Sequence, residues 1–172
     1  MSLQFSSLRP CEPEDLELLY TIENDRELWD TSNADAPYSR YAIKQYIAAA
    51  EPIQVCGELR LIIDAINEEG KKIAVGLVDL TDYSALHARS EVGIALLKEF
   101  RGMGLGKAAL QDLATIAKNR LRIHSLYAII STDNETSLHL FESIGYQAIS
   151  ILPQWHFIRG KYVDAKIMMK FF

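Results

Sequence analysis

The sequence predicts an α/β (α+β) fold built on a mixed, mostly antiparallel sheet flanked by helices. Three observations predict it. Apolar segments of strand and helix period alternate in the order β, α, α, β, β, β, α, β, α, β, β. Two of the strand segments, Leu59 to Ile66 and Ile73 to Leu80, are separated only by the turn Asn67-Glu68-Glu69-Gly70, which makes an antiparallel hairpin. A third, Val92 to Leu97, runs through a glycine-rich turn into an amphipathic helix and then another strand, which implies one parallel crossover.

Taken in order, Phe5 to Arg9 reads as a short strand stopped by Pro10. Glu12-Pro13-Glu14-Asp15 places acids and a proline at a helix start, where the helix dipole favours them. Leu16, Leu18, Leu19 and Ile22 supply that helix with an apolar face. Asn24 to Tyr38 is mostly polar and is assigned no regular structure, with Leu28 and Trp29 as its apolar anchors. Ser39 caps a second helix ending near Ala50. After the hairpin, Asp82 to Ala88 reads as a loop. From Gly104 to about Asn119, Leu105, Ala109, Leu110, Leu113, Ile116 and Ala117 share one helix face, with Lys107, Gln111, Asp112 and Lys118 opposite. Leu126 to Ser131 is a buried strand, and Asn134 to Ile144 a helix stopped by Gly145. Tyr146 to Leu152 and Lys161 to Phe171 form a late pair of strands, joined through Pro153 and a turn at Arg159-Gly160.

The totals bound the function. A length of 172 residues, 49% of them apolar, suits one domain over residues 1–172 with a substantial core. No apolar run approaches the ~20 residues of a membrane span, and Met1 to Phe5 does not read as a signal peptide. Cys11 and Cys56 have no metal or redox spacing and read as reduced thiols, which places the chain in the cytoplasm, with a disulfide as the alternative. A net charge of −5 argues against broad nucleic-acid binding and favours a cationic substrate. His87, His124, His139 and His156 show no metal-ligand spacing. The oligomeric state stays open, a homo-oligomer included.

The chemistry centres on Arg101-Gly102-Met103-Gly104-Leu105-Gly106-Lys107. Alternating glycines leave the backbone free to turn, and a helix starting there points several amides at one spot, a site for phosphate. Two phosphate motifs fail on residues. A P-loop requires glycine where Arg101 stands and Ser or Thr where Ala108 stands. A dinucleotide fingerprint starting at Gly102 requires glycine where Lys107 stands. A tight turn without a ligand is the remaining alternative.

Arg-x-x-Gly-x-Gly after an apolar strand resembles the acetyl-CoA pyrophosphate loop of the GNAT acetyltransferase superfamily. Asn134-x-x-Ser137-x-x-x-Phe141-Glu142-x-x-Gly145-Tyr146 is similar to its second motif, and Leu8-Arg9-Pro10 with Glu14-Asp15 to its usual start. The ending Gly160-Lys161-Tyr162-x-Asp164 is similar to the bacterial polyamine and ribosomal-protein N-terminal acetyltransferase branch. The resemblance covers essentially the whole chain. It implies a GNAT-like sheet splayed at an acetyl-CoA cleft, and acetyl transfer to a primary amine by direct attack. The acceptor it implies is a small-molecule amine such as a polyamine, or a peptide N-terminus. A non-catalytic acyl-CoA sensor is the other reading.

By this resemblance, the backbone of Gly102, Met103, Gly104, Leu105, Gly106 and Lys107 holds the pyrophosphate, with charge added by Arg101 and Lys107. Ile94, Ala95 and Leu96 pair their backbone with the pantetheine arm, and one of their amides is a candidate oxyanion donor. Asn134, Ser137 and Phe141 line the cofactor from the next helix. The same residues have plainer readings: Lys107 as a solvated helix residue, Asn134 as a cap alone, the strand side chains as core. Phe141 departs from the family pattern, where a tyrosine protonates the leaving thiolate. Thiolate is already a tolerable leaving group, with a thiol pKa of ~8.5. Glu91 is the candidate general base, with an edge salt bridge as the alternative. Glu23, Asp25, Asp30 and Asp35 form an acidic segment that either binds a cationic amine or is simply solvated. Trp29, Tyr83, Trp155 and Tyr162 are candidates to line an acceptor pocket, or core.

Overall fold

A computed structural model describes residues 3–30 and 36–172. Seven strands form one sheet in the order β1-β2-β3-β4-β5-β7-β6. They are β1 (Gln4–Pro10), β2 (Leu59–Ile66), β3 (Lys72–Ser84), β4 (Arg89–Leu96), β5 (Ser125–Ser131), β6 (Gln147–Ile158) and β7 (Lys161–Phe171). All neighbouring pairs are antiparallel except β4 and β5, the expected parallel crossover.

The helices cover the two faces of the sheet. On one face lie α5 (Leu105–Asn119) and α6 (Glu135–Glu142), packed with Val78, Leu80, Val92, Leu126 and Met168. Leu105, Leu110 and Leu113 of α5 are essentially fully buried there. Each such leucine contributes roughly 1.5–3 kcal/mol of burial free energy. On the other face lie α1 (Leu16–Glu23) and α3 (Arg40–Ala48), with Leu19, Ile22 and Ile43 packed on Ile62 and Leu77. The Ser39 hydroxyl accepts the Ala42 N–H at 3.1 Å and starts α3 as expected.

The chain entry is fixed by charge. The Arg9 guanidinium bridges the buried carboxylates of Asp15 (2.7 Å) and Asp64 (2.9 Å). Asp15 also accepts the Glu12 N–H at 2.8 Å. Burial pushes the Asp15 carboxyl up, but the Arg9 bond and the Glu12 amide outweigh it and hold it below the usual carboxylate range.

Four sequence expectations need correction. The polar stretch from Asn24 contains a short helix, α2 (Arg26–Trp29), because the Asp25 side chain caps it by accepting the Glu27 N–H at 2.9 Å. A second short helix, α4 (Ile53–Cys56), follows Pro52 and stops at Gly57, whose φ is +78°. The expected loop from Asp82 is in part strand, since β3 continues to Ser84 across a register shift. Finally, β6 does not stop at Leu152. It is an edge strand whose ladder shifts between Leu152 and His156, so Pro153 sits where no N–H is required. The Asp164 carboxylate holds that bulge by accepting the Gln154 N–H at 2.8 Å.

Cys11 and Cys56 are not bonded to each other. Burial, then the nearby Asp15 charge, pushes the Cys11 thiol up to about 11. Among the described residues no helix is long and apolar enough to cross a membrane.

Candidate active site

Strands β4 and β5 pair only over Arg89 with Ser125, Ser90 with Leu126 and Glu91 with Tyr127, and then diverge. Each limb of this fork is held from outside. The β4 limb stays paired to β3 as far as Leu96, and the β5 limb to β7 as far as Ser131. The Leu97 N–H bonds the Val75 carbonyl at 3.0 Å, which fixes the phase of the β3–β4 ladder. Backbone groups of Ile94 and Leu96 therefore face the open fork. Ala95 does not share this role. It pairs with Leu77, so its amide points to β3, and its side chain packs on the α1 face. On the other limb the Phe172 N–H bonds the His124 carbonyl at 3.0 Å, so the amides of Ile129 and Ser131 face the fork.

The glycine turn sits at the end of the β4 limb. Gly102 and Gly104 have φ of +76° and +79°, and a β-carbon on either would meet nothing within 4 Å. The turn is therefore left-handed by necessity and open on its outer side. The first intrahelical bond of α5 runs from the Ala108 N–H to the Gly104 carbonyl, 3.2 Å. The amides of Leu105, Gly106 and Lys107 are left without an intrahelical acceptor, at the positive end of a 15-residue helix. Gly106 has a different reason. A β-carbon there would lie 3.4 Å from methyl groups of Ile94 and Leu96, so it lets α5 pack closely on β4. Met103 and Lys107 are exposed. Arg101 is engaged away from the loop amides. Its Nε donates to the Leu96 carbonyl at 3.0 Å, and its other nitrogens lie 3.7 Å from Asp25 and 3.9 Å from Glu27.

On α6 the Asn134 side chain accepts the Ser137 N–H at 3.1 Å, which makes it a cap. Ser137 is half-buried and Phe141 buried on the same side of the helix. Leu140, in the last turn of α6, approaches Gly106, so α6 packs beside the start of α5. His139 is 79% exposed and 3.6 Å from Glu142, on the far side.

The opposite sheet face carries Glu91, the candidate base. Glu91 alternates in phase with Ala95 and Leu97, which pack toward α1 and α3, whereas Ser90 is fully buried and donates to the Thr81 carbonyl at 2.7 Å. Burial, then the charge of Asp82, pushes Glu91 up, against the opposing pull of the Ile129 N–H. The Tyr127 hydroxyl donates to Asp82 at 2.5 Å, and Arg89 lies 3.6 Å from the same carboxylate. Sequence reasoning missed Asp82 and Tyr127. Only the in-register pairing of Tyr127 with Glu91 marks them, and that pairing appears once the strands are aligned.

The acidic segment is already matched by protein cations. Glu23 pairs with Arg60 (2.5 Å), Asp25 with Arg101, and Asp30 with Arg159 (2.8 Å), while Asp35 lies outside the described residues. Trp29 donates its indole N–H to the Glu23 carbonyl at 2.9 Å. Of the other aromatic candidates, Tyr83 packs with the α5 core, while Trp155 and Tyr162 are exposed. Among the described residues no group of His, Cys, Asp and Glu could hold a metal ion.

The arrangement offers an open strand edge for an amide-bearing arm, an amide cluster for phosphate, and a carboxylate where the limbs part. Comparison with known proteins gives the family. The sequence profile described as Acetyltransferase (GNAT) domain matches residues 7–147. The chain is 26% identical over 161 residues to the spermidine N(1)-acetyltransferase of Escherichia coli, covering 92% of this chain and 81% of that protein. It is 25% identical over 162 residues to the corresponding enzyme of Vibrio cholerae, covering 94% and 90%. The crystal structure of the Vibrio cholerae spermidine N-acetyltransferase in complex with CoA and spermine matches with a TM-score of 0.80 at 23% identity, over 99% of this chain and 95% of that one. At that identity the structural likeness establishes the fold.

Proposed function

The chain belongs to the GNAT acetyltransferase family, and from that premise we propose that it acetylates a primary amine of a small polycation of the polyamine class. It is an N-acetyltransferase, and acetyl-CoA supplies the activated acetyl group. The observation that carries the choice of acceptor is the extent of the match. The spermidine acetyltransferases align over more than nine-tenths of this chain, the amine face as well as the glycine turn.

Each residue then has a task. The free amides of Leu105, Gly106 and Lys107, with the turn at Gly102, Met103 and Gly104, hold the pyrophosphate. Backbone groups of Ile94 and Leu96 bond the pantetheine arm as an added strand, and one amide in the fork polarises the thioester carbonyl. Asn134, Ser137 and Phe141 border the arm from α6. Glu91 accepts a proton from the substrate ammonium, which frees the nitrogen lone pair for attack. Charges balance over the cycle: a C–N bond forms, a C–S bond breaks, the sulfur takes one proton and one proton leaves to solvent.

The acids Glu23, Asp25 and Asp30 enter this reading as ion-paired structure, so Glu91 and its neighbours carry amine recognition. The test incubates purified protein and acetyl-CoA with spermidine, spermine, monoamines and peptides, and measures free thiol. Release with the polyamines, above that with monoamines and peptides, is expected. Preferential release with peptides would overturn the acceptor assignment.

A further inference from the structure

We propose that Asp82 is a positioning residue for acetyl transfer, held by Tyr127 and Arg89 at the closed end of the fork so that its charge acts on Glu91. The inference rests on the reading of Glu91 as the base.

Asp82 stands where an ordinary strand would not put it. Its φ is +45°, a left-handed conformation, at the register shift of β3 against β4 between Thr81 and Ser84. For a residue other than glycine that conformation costs roughly 1–3 kcal/mol and persists only where the surroundings hold it. Two partners from two different strands do so. The Tyr127 hydroxyl reaches it at 2.5 Å from β5, and Arg89 lies 3.6 Å away on β4. Tyr127 is also the in-register neighbour of Glu91. The ring that anchors Asp82 therefore stands beside the base, and the placement of one carboxylate is tied to that of the other.

The groups acting on Glu91 are few. Asp82 faces it from β3, and Tyr127 and the Ile129 amide face it from β5. Arg89, on the same strand as Glu91, is turned to Asp82. Glu91 thus experiences a like charge without a compensating ion pair of its own among the described residues, in a half-buried position. This environment suits a base. An ordinary glutamate, near pH ~4.3, is a weak proton acceptor for an ammonium near ~10.4. A glutamate whose proton affinity is raised accepts that proton more readily.

The test is the pH dependence of kcat/KM with acetyl-CoA and spermidine, together with an NMR titration of the Glu91 carboxylate in the free enzyme, which requires no acceptor. Asp82→Asn should move the acidic limb, and the Glu91 titration, to lower pH by about half to one unit. Asparagine accepts left-handed backbone as readily as aspartate, so the fold is retained. Asp82→Glu should restore the wild-type limb in part. Tyr127→Phe keeps both charges but frees Asp82, and should shift the limb in the same direction by less. Glu91→Gln should abolish the limb. If Glu91→Gln abolishes it while Asp82→Asn leaves limb and titration unmoved, the role of Asp82 is overturned and the base stands. If Glu91→Gln keeps the limb, the base reading itself falls. Loss of activity by Asp82→Asn at every pH, with no shift in either readout, also overturns the proposal.

Discussion

Phe141 and Tyr146 meet edge to face, with ring centroids 4.9 Å apart and planes at 81°. The contact closes the C-terminal end of α6, where the Tyr146 N–H bonds back to the Phe141 carbonyl at 3.1 Å. Both residues are buried, so the phenyl ring is structural whatever else it does. It has no proton to give a leaving thiolate. Phe141→Tyr should leave kcat unchanged or raise it, by up to about tenfold, because general-acid assistance matters less for a thiolate than for a poorer leaving group. Steady-state kinetics on the variant check this. Complete inactivation with the fold intact would show that this helix face does not border the leaving group.

Gly104 and Gly106 separate two uses of glycine in one turn. At Gly104 the backbone is left-handed and the space beside it open, whereas at Gly106 the Ile94 and Leu96 methyls stand 3.4 Å from where a β-carbon would lie. Gly104→Val should both strain the turn, by roughly 1–2 kcal/mol, and fill the space beside the amides, weakening CoA binding more than tenfold. Gly106→Ala should instead lower the thermal midpoint while keeping CoA affinity within a few-fold. Calorimetric titration with CoA and thermal unfolding distinguish the two. Equal CoA affinity in both variants would move the pyrophosphate elsewhere.

The fork was legible because its signals are local. A β-branched and apolar strand, a glycine turn and an amphipathic helix follow one another between Val92 and Asn119, and Asn134 caps the next helix as its residue type predicts. The face that carries Glu91 was less legible because its contacts arise from pairing across the chain. Tyr127 and Asp82 are 45 residues apart, and Arg159 and Asp30 are 129 apart. The acids that looked free for a cationic substrate are matched by arginines no local pattern assigns to them. The short helix α2 was hidden for a related reason: a single capping carboxylate, Asp25, outweighs a composition that reads as loop.

The Arg9–Asp15 pair makes acid stability predictable. The folded Asp15 carboxyl is held below its ordinary value, so the unfolded chain binds a proton there first as pH falls. The stabilisation is therefore full above about pH 4–5 and is lost as pH falls through the folded value. Urea unfolding at pH 5, 4 and 3 should show the wild-type midpoint dropping across that window. Asp15→Asn should lower the midpoint at pH 7 and flatten the drop. Parallel curves for the two proteins would remove Asp15 from the acid response.

Arg60 links the sheet to the end of α1. Its side chain is 19% exposed, bonded to Asp79 at 2.8 Å and to Glu23 at 2.5 Å, with the Tyr46 ring 5.1 Å away. Burial works against the charged guanidinium, but the Asp79 bond and the surrounding charges raise its proton affinity, so it stays a cation at every accessible pH. Truncation would leave two partly buried carboxylates without their partner, at a cost of about 3–5 kcal/mol. Glu23 also receives the Trp29 indole on its carbonyl, so freeing its side chain loosens the last residue of α2. Arg60→Met should therefore destabilise the protein and raise KM for the amine more than KM for acetyl-CoA. Arg60→Lys, which keeps one charge but not the two-carboxylate fork, should recover part of the stability. Chemical unfolding and two-substrate kinetics test this, and equal changes in both KM values would show that the Arg60 network supports the fold without shaping the amine side.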